Sequence, residues 1–203
     1  NINGKHSYRL APLIEKLALP TLVITDLDSA EPTGYHKKAE PVRNNGLVSG
    51  NYAITNWIIG KNLLDDLLDL PDTEKVVSKK SICDYQIRVA YQTPIKVTHL
   101  DVEVEALART FEDSLIYTNW DVLSKLNATD PGQLLKKLKD GFDAKKSFDS
   151  LKTTIFNELG KSEVKAEFAL DLIFSVAPED IVVPQYINQG LTWLESILCM
   201  EVN

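Results

Sequence analysis

Two carboxylates one residue apart, Asp26 and Asp28, follow directly on the run Thr21-Leu22-Val23-Ile24-Thr25. A short run that is apolar at every central position reads as a strand covered on both faces, as in a parallel sheet. In open α/β sheets, ligands gather beyond the carboxyl ends of the strands. A strand ending there fixes the first acid, and the turn that follows brings the second to the same side. Two fixed carboxylates suit Mg2+ or Mn2+, hard ions that keep positions open for phosphate oxygens. The competing reading is that Asp26 and Asp28 cap the next turn, as strand-ending acids often do. Spacing alone leaves the two readings level.

Other polar residues carry weaker signals. Glu105, Arg109 and Glu112 stand four and three residues apart, which on a helix makes an exposed ion-pair row worth about 0.2–0.5 kcal/mol per pair. Lys165 falls in the first turn of a helix, where a cation opposes the macrodipole by about 0.3–1 kcal/mol. A lysine held there at such a cost is easier to explain if it faces phosphate. His36-Lys37-Lys38 and Arg43 make one loop locally basic, which suits either a DNA-contacting segment or a solvated one. His6, His36 and His99 share no ligand spacing, Trp57, Trp120 and Trp193 read as core residues, and no Ser-His-Asp arrangement is recognisable.

The elements that must position these groups follow from periodicity and breakers. A helix capped by Ser7 and running to about Leu17 precedes the first strand, with Pro20 as its stop. Residues 29–50 read as a long polar loop, and residues 54–68 as a helix that breaks at Pro71-Asp72. Tyr85 to Val97 alternates as a second strand. Val104, Leu107, Ala108, Phe111 and Leu115 form a 3.6-period stripe, predicting one helix through that region. Asp130-Pro131 opens a helix to about Asp140 that stops at Gly141. Further helices run from about Asp143 to Leu159, from a Ser162 cap through an all-round apolar stretch at Phe168–Val176, and from Pro184 with Ile187, Leu191, Leu194 and Leu198 on one face. Strands early and helices later give an α/β class with a helical extension or insertion.

Composition bounds the function. The 203 residues hold 22 Lys plus Arg against 29 Asp plus Glu, a formal net charge of −7. That balance excludes general adhesion to nucleic acid by overall charge, which needs many cations meeting phosphates, but not a local site. Cys83 and Cys199 show neither a disulfide framework nor a zinc spacing, so a reducing cytoplasm is the expected home. No apolar run approaches the roughly 20 residues that span a bilayer, and no membrane partner is expected.

Four blocks carry a family resemblance: Leu19-Pro20-Thr21-Leu22-Val23-Ile24-Thr25-Asp26-Leu27-Asp28-Ser29; Arg109-Thr110-Phe111-Glu112-Asp113-Ser114-Leu115-Ile116; Lys165-Ala166-Glu167-Phe168-Ala169-Leu170-Asp171-Leu172; and Val183-Pro184-Gln185-Tyr186-Ile187-Asn188-Gln189-Gly190-Leu191-Thr192-Trp193-Leu194. In order and over nearly the whole chain, they resemble the TOPRIM nuclease domain of the OLD-family (overcoming lysogenization defect) ATP-dependent endonucleases, which include the nuclease subunit of Gabija anti-phage systems. The haloacid-dehalogenase-like phosphatases share the strand and Asp-x-Asp, but Ser29-Ala30-Glu31 replaces their usual Gly and Thr continuation.

The TOPRIM resemblance implies a Rossmann-like parallel sheet with an added helical subdomain. It implies a core over residues 1–130 with a helical segment at 54–69, a helical insertion at 131–160 and completing helices at 161–203. It also implies a two-metal Mg2+ or Mn2+ site on Asp26, Asp28 and Glu112, with Lys165 near the scissile phosphate of DNA and the Ser29 hydroxyl and Leu27 carbonyl as minor ligands. ATP would be used only by an upstream domain, because no Gly-x-x-x-x-Gly-Lys-Ser/Thr loop occurs here. The parent would assemble through that domain into a homo-oligomer, with a helicase as partner in a defence system. The family's first strand, ending in a Val-Glu-Gly-like glutamate, has no counterpart ahead of Asn1-Ile2-Asn3-Gly4, so the chain is expected to start inside the domain. The alternatives are a phosphohydrolase with Asp26 as nucleophile and an interaction module with an incomplete site.

Overall fold

The computed structural model describes residues 4–33, 37–126 and 130–200; His36 lies outside them. In chain order, a tight helical segment (Gly4–Leu10) runs into α1 (Ala11–Leu17), followed by β1 (Thr21–Ile24), β2 (Ser29–Ala30), β3 (Val48–Ser49), a wide π-type helical turn (Ala53–Ile58) and α2 (Leu64–Leu68). Next come β4 (Val76–Lys80), β5 (Asp84–Ala90), β6 (Ile95–His99), β7 (Val102–Ala106), α3 (Phe111–Thr118) and α4 (Trp120–Lys125). The last helices are α5 (Gln133–Asp143), α6 (Phe148–Glu158), α7 (Ser162–Ser175) and α8 (Gln185–Met200). The class is mixed α/β. No helix among the described residues is long and apolar enough to cross a membrane.

The chain divides into two compact units. The first comprises Asn1–Thr93 with Pro184–Asn203, and the second Pro94–Val183. In the first unit, a three-stranded sheet has the order β1-β5-β4. β1 pairs parallel to β5, with Ile24 opposite Ala90, whereas β4 pairs antiparallel to β5. The parallel sheet expected from the sequence is therefore one parallel pair. β1 is also less covered than its apolar run suggests, since Ile24 is 42% exposed. Ser7 lies inside the Gly4–Leu10 turn rather than capping α1, and the helix ends at Ala18, whose left-handed φ of 50° closes it before Pro20.

Several other expectations are corrected in this unit. The supposed loop 29–50 contains the β2–β3 pair, joined in antiparallel register Ser29↔Ser49. The helix expected over residues 54–68 is two segments, divided at Gly60, whose φ is +81°. α8 does not bury its Leu191 and Leu198 face, both about half exposed; it packs through Tyr186 and through Gly190, which lies against Leu22 and Ala90.

The second unit holds the β6–β7 hairpin and α3 to α7 around a core that includes Val97, Ile116, Trp120, Leu138, Leu151, Ile155 and Phe168. The helix expected from Val104 to Leu115 is overturned here, because Val102–Ala106 is a strand with Val104 opposite Val97. Val102, Val104 and Ala106 alternate with polar residues, a period-two pattern hidden beneath the 3.6-residue stripe. The two-residue turn Leu100-Asp101 has φ of 49° and 61°, the left-handed pair that matches strand twist in a tight hairpin. Glu105 therefore lies on a strand, and the helical ion-pair row through Glu112 does not form. α5 runs past Gly141 to Asp143. A Cβ on Gly141 would collide with Leu151 Cδ2, so this glycine is there for close helix packing rather than as a stop. α7 buries only the stripe Val164, Phe168 and Leu172, continued by Val176 just past its end, leaving Leu170, Ile173 and Phe174 at 54%, 69% and 83% exposure.

Candidate functional site

The parallel register decides what surrounds the acid pair. Because Ile24 is level with Ala90, two further residues bring Asp26 level with Gln92 at the same carboxyl edge. The Thr25 amide continues the ladder by donating to the Ala90 carbonyl at 3.0 Å. The Gln92 side chain, wholly buried, then grips the turn. Its Oε1 accepts from the Leu27 amide at 2.6 Å, and its Nε2 donates to Asp26 Oδ1 at 3.0 Å and to the Tyr186 hydroxyl at 3.2 Å.

The other side of the turn is held by the strand returning from β3. Asn51, also wholly buried, donates through Nδ2 to the Asp26 carbonyl at 2.6 Å and to Thr25 Oγ1 at 2.7 Å, while its Oδ1 accepts from the Ala53 amide at 3.0 Å. The Ser49 hydroxyl donates to the Leu27 carbonyl at 2.6 Å. That carbonyl is thus engaged by Ser49, and Ser29 is wholly buried as well. Asp28 adopts φ of 53°, a left-handed conformation that Asp tolerates better than most residues, and its carbonyl accepts from the Gly50 amide at 2.9 Å. A Cβ at residue 50 would stand 3.2 Å from that same oxygen, so the glycine permits the approach. Asp26 and Asp28 are both half-buried: fixed by the fold, yet open to solvent.

Glu112 and Lys165 belong to the second unit, and the structure brings them together. Thr110 caps α3 in a reciprocal box with Asp113, whose Oδ1 accepts from the Thr110 amide at 2.6 Å. This places Glu112 in the first turn, where its Oε2 accepts from Thr110 Oγ1 at 2.8 Å and from Lys165 Nζ at 2.7 Å. Burial pushes the Glu112 carboxyl up, but the hydrogen bond and charge of Lys165, with help from Thr110, outweigh it and hold the group below its ordinary range. Lys165, near the start of α7, thus has a counter-ion that offsets its quarrel with the helix dipole.

Whether these residues fit a divalent ion turns on the donor set. Asp26 and Asp28 supply hard carboxylate oxygens at the mouth of a strand, which suits Mg2+ or Mn2+. Among the described residues, no group of three or more His, Cys, Asp or Glu side chains is gathered to hold a metal. Glu112, expected as the third ligand, is bonded to Lys165. Sequence reasoning missed Gln92, Asn51, Ser49 and Tyr186. Ser49, Asn51 and Gln92 are polar residues at or just beyond the ends of short strands, and Tyr186 lies in the first turn of α8; that was the available signal.

A mixed α/β unit with an acid pair clamped at the end of a parallel strand is a recurrent setting for phosphate and metal chemistry. Over 203 aligned residues, the chain is 27% identical to Endonuclease GajA of Bacillus cereus (strain HuB5-5), covering 96% of this chain and 26% of that protein. The chain spans about a quarter of the length of this curated relative, and the similarity supports a relationship to Gabija- and OLD-type nucleases. No protein-family model matches the chain, and no solved structure matches it.

Proposed function

We propose that this chain is the nuclease part of a larger ATPase-nuclease, of TOPRIM type, and that it hydrolyses DNA phosphodiester bonds with the help of two divalent ions. The observation that carries the reading is the clamped Asp26-x-Asp28 turn, in a chain similar along nearly its whole length to a protein named an endonuclease. Asp26 and Asp28 would hold Mg2+ or Mn2+. Bound there, the ions would supply an activated water and charge compensation for the leaving 3′-oxygen. Within the second unit, Glu112 and Lys165 would exchange partners, the carboxylate taking a cation and the ammonium a phosphate whose developing charge it stabilises. One exchange of partners thus serves both residues without leaving either charge unpaired in a half-buried site.

The test is nicking of supercoiled plasmid with Mg2+ or Mn2+. Asn is the right replacement at both acids, because it keeps the shape and tolerates the left-handed backbone at residue 28. The double variant Asp26→Asn with Asp28→Asn is expected to lose roughly 10³-fold or more of the activity, the scale of deleting a catalytic group, with an unchanged circular dichroism spectrum. Cleavage at the parent rate would refute the assignment.

A further inference from the structure

We propose that Gln92 is a positioning residue for the Asp26 carboxylate and that Tyr186, from α8, braces the donor end of Gln92. The proposal rests on the reading of Asp26 and Asp28 as metal ligands, and it adds a function to two residues outside that ligand set.

The argument starts from what an amide can do. One end accepts and the other donates two hydrogens. The Leu27 backbone group is a donor, so the atom facing it at 2.6 Å must be the Gln92 carbonyl oxygen. The orientation of the amide is thereby fixed by the backbone. Nε2 then faces the other way, with its two hydrogens directed at Asp26 Oδ1 and the Tyr186 hydroxyl. Every hydrogen of the Gln92 amide is used, and the side chain is entirely enclosed.

A buried glutamine is an unusual core residue, since a methionine of similar shape would fill the same space with no polar group to satisfy. If residue 92 served only packing, the amide would have no purpose. If it served only the Leu27 amide, its donor end would not need to reach a carboxylate. The geometry does both at once: one end locks the turn between the two acids, and the other fixes the first acid's rotamer. Outer residues that orient metal ligands typically change metal affinity by about 10–100-fold when removed. Tyr186 stands behind the amide at 4% exposure, so loss of its hydroxyl would leave one Nε2 hydrogen without this acceptor and loosen the grip from behind.

Manganese affinity, measured on the intact chain by electron paramagnetic resonance, separates positioning from mere support. Gln92→Met is expected to weaken Mn2+ binding by about 10–100-fold, and Tyr186→Phe by a smaller, several-fold factor. In nicking assays, the Mn2+ concentration for half-maximal rate should rise by the same factor while the rate at saturating Mn2+ recovers. A purely structural role would lower the melting temperature and leave Mn2+ affinity within twofold of the parent, and that result overturns the proposal. Where Gln92→Met does not fold, Tyr186→Phe decides by the same criterion. If the parent chain binds Mn2+ no better than its Asp26→Asn variant, the metal reading itself fails, and this proposal with it. Normal binding by the parent with normal binding by folded Gln92→Met sinks this proposal alone.

Discussion

The turn at Asp26–Asp28 and the pair Glu112–Lys165 hold carboxylates in two different ways. Asp26 is gripped through its side chain by a neutral amide, and its backbone is pinned by Asn51. Glu112 is held by an ammonium at 2.7 Å and a hydroxyl at 2.8 Å. A neutral donor orients a carboxylate without cancelling its charge, so the carboxylate keeps its attraction for a cation. An ammonium orients and cancels together. On the proposed reading the first arrangement would receive an ion, whereas the second is an ion pair that has to be opened by something competing for both partners. Under the proposed function, DNA with its metals would be such a competitor, phosphate drawing the lysine and a cation the glutamate.

Removing one partner at a time tests that difference most strongly. Lys165→Met is expected to slow nicking by about 10²-fold, comparable to losing one transition-state donor, while costing no more than about 1 kcal/mol of stability, as expected for a pair at 30% and 24% side-chain exposure. Glu112→Gln should also slow nicking, with the larger part of its effect on the metal requirement. If both variants lower the melting temperature alike and neither changes the rate, the pair is a strut between α3 and α7, and the contrast with Asp26 loses its functional meaning.

Much of the first region was legible in the sequence, because a four-residue apolar strand followed by two acids is a local pattern. Gln92 was not, since its meaning depends on the register between two strands and on partners 66 and 94 residues away. In the second region, the start of α3 was written in Thr110 and Asp113 as a capping box, but the apolar stripe from Val104 to Leu115 spoke louder and concealed a hairpin. Gly141 misled for the opposite reason: glycine marks both helix ends and close packing, and only the position of Leu151 tells them apart. The pairing of Glu112 with Lys165 joins two first turns that no local signal connects.

A smaller effect comes from pH. The Glu112 carboxyl titrates lower in the fold than its ordinary value of 4.5, so the folded state favours the charged form. Its contribution is fully present above that ordinary value and is lost as pH falls through the depressed one. Melting temperatures of the parent and Glu112→Gln should therefore differ by a constant amount from pH 7 down to about 5, on a scale of at most about 1 kcal/mol, and converge in more acidic solution. A difference that instead grew on acidification would mean that Lys165 is not what holds the carboxylate.

The smallest expected effect concerns the helix that carries Lys165. Val164, Phe168 and Leu172, with Val176 just past the helix end, recur every four residues and are buried, whereas Phe174 is 83% exposed. The apolar composition all round that helix suggested burial on every side, yet only the stripe at one period has partners. Phe174→Ser should accordingly change unfolding free energy by no more than about 0.5 kcal/mol, the usual range for an exposed position, and leave the rate of nicking unchanged. Chemical denaturation checks the first and the plasmid assay the second. A loss of several kcal/mol would mean that the outer face of α7 is covered in solution, so that Lys165 sits in a more enclosed setting than its present exposure implies and its exchange of partners with phosphate would be correspondingly harder.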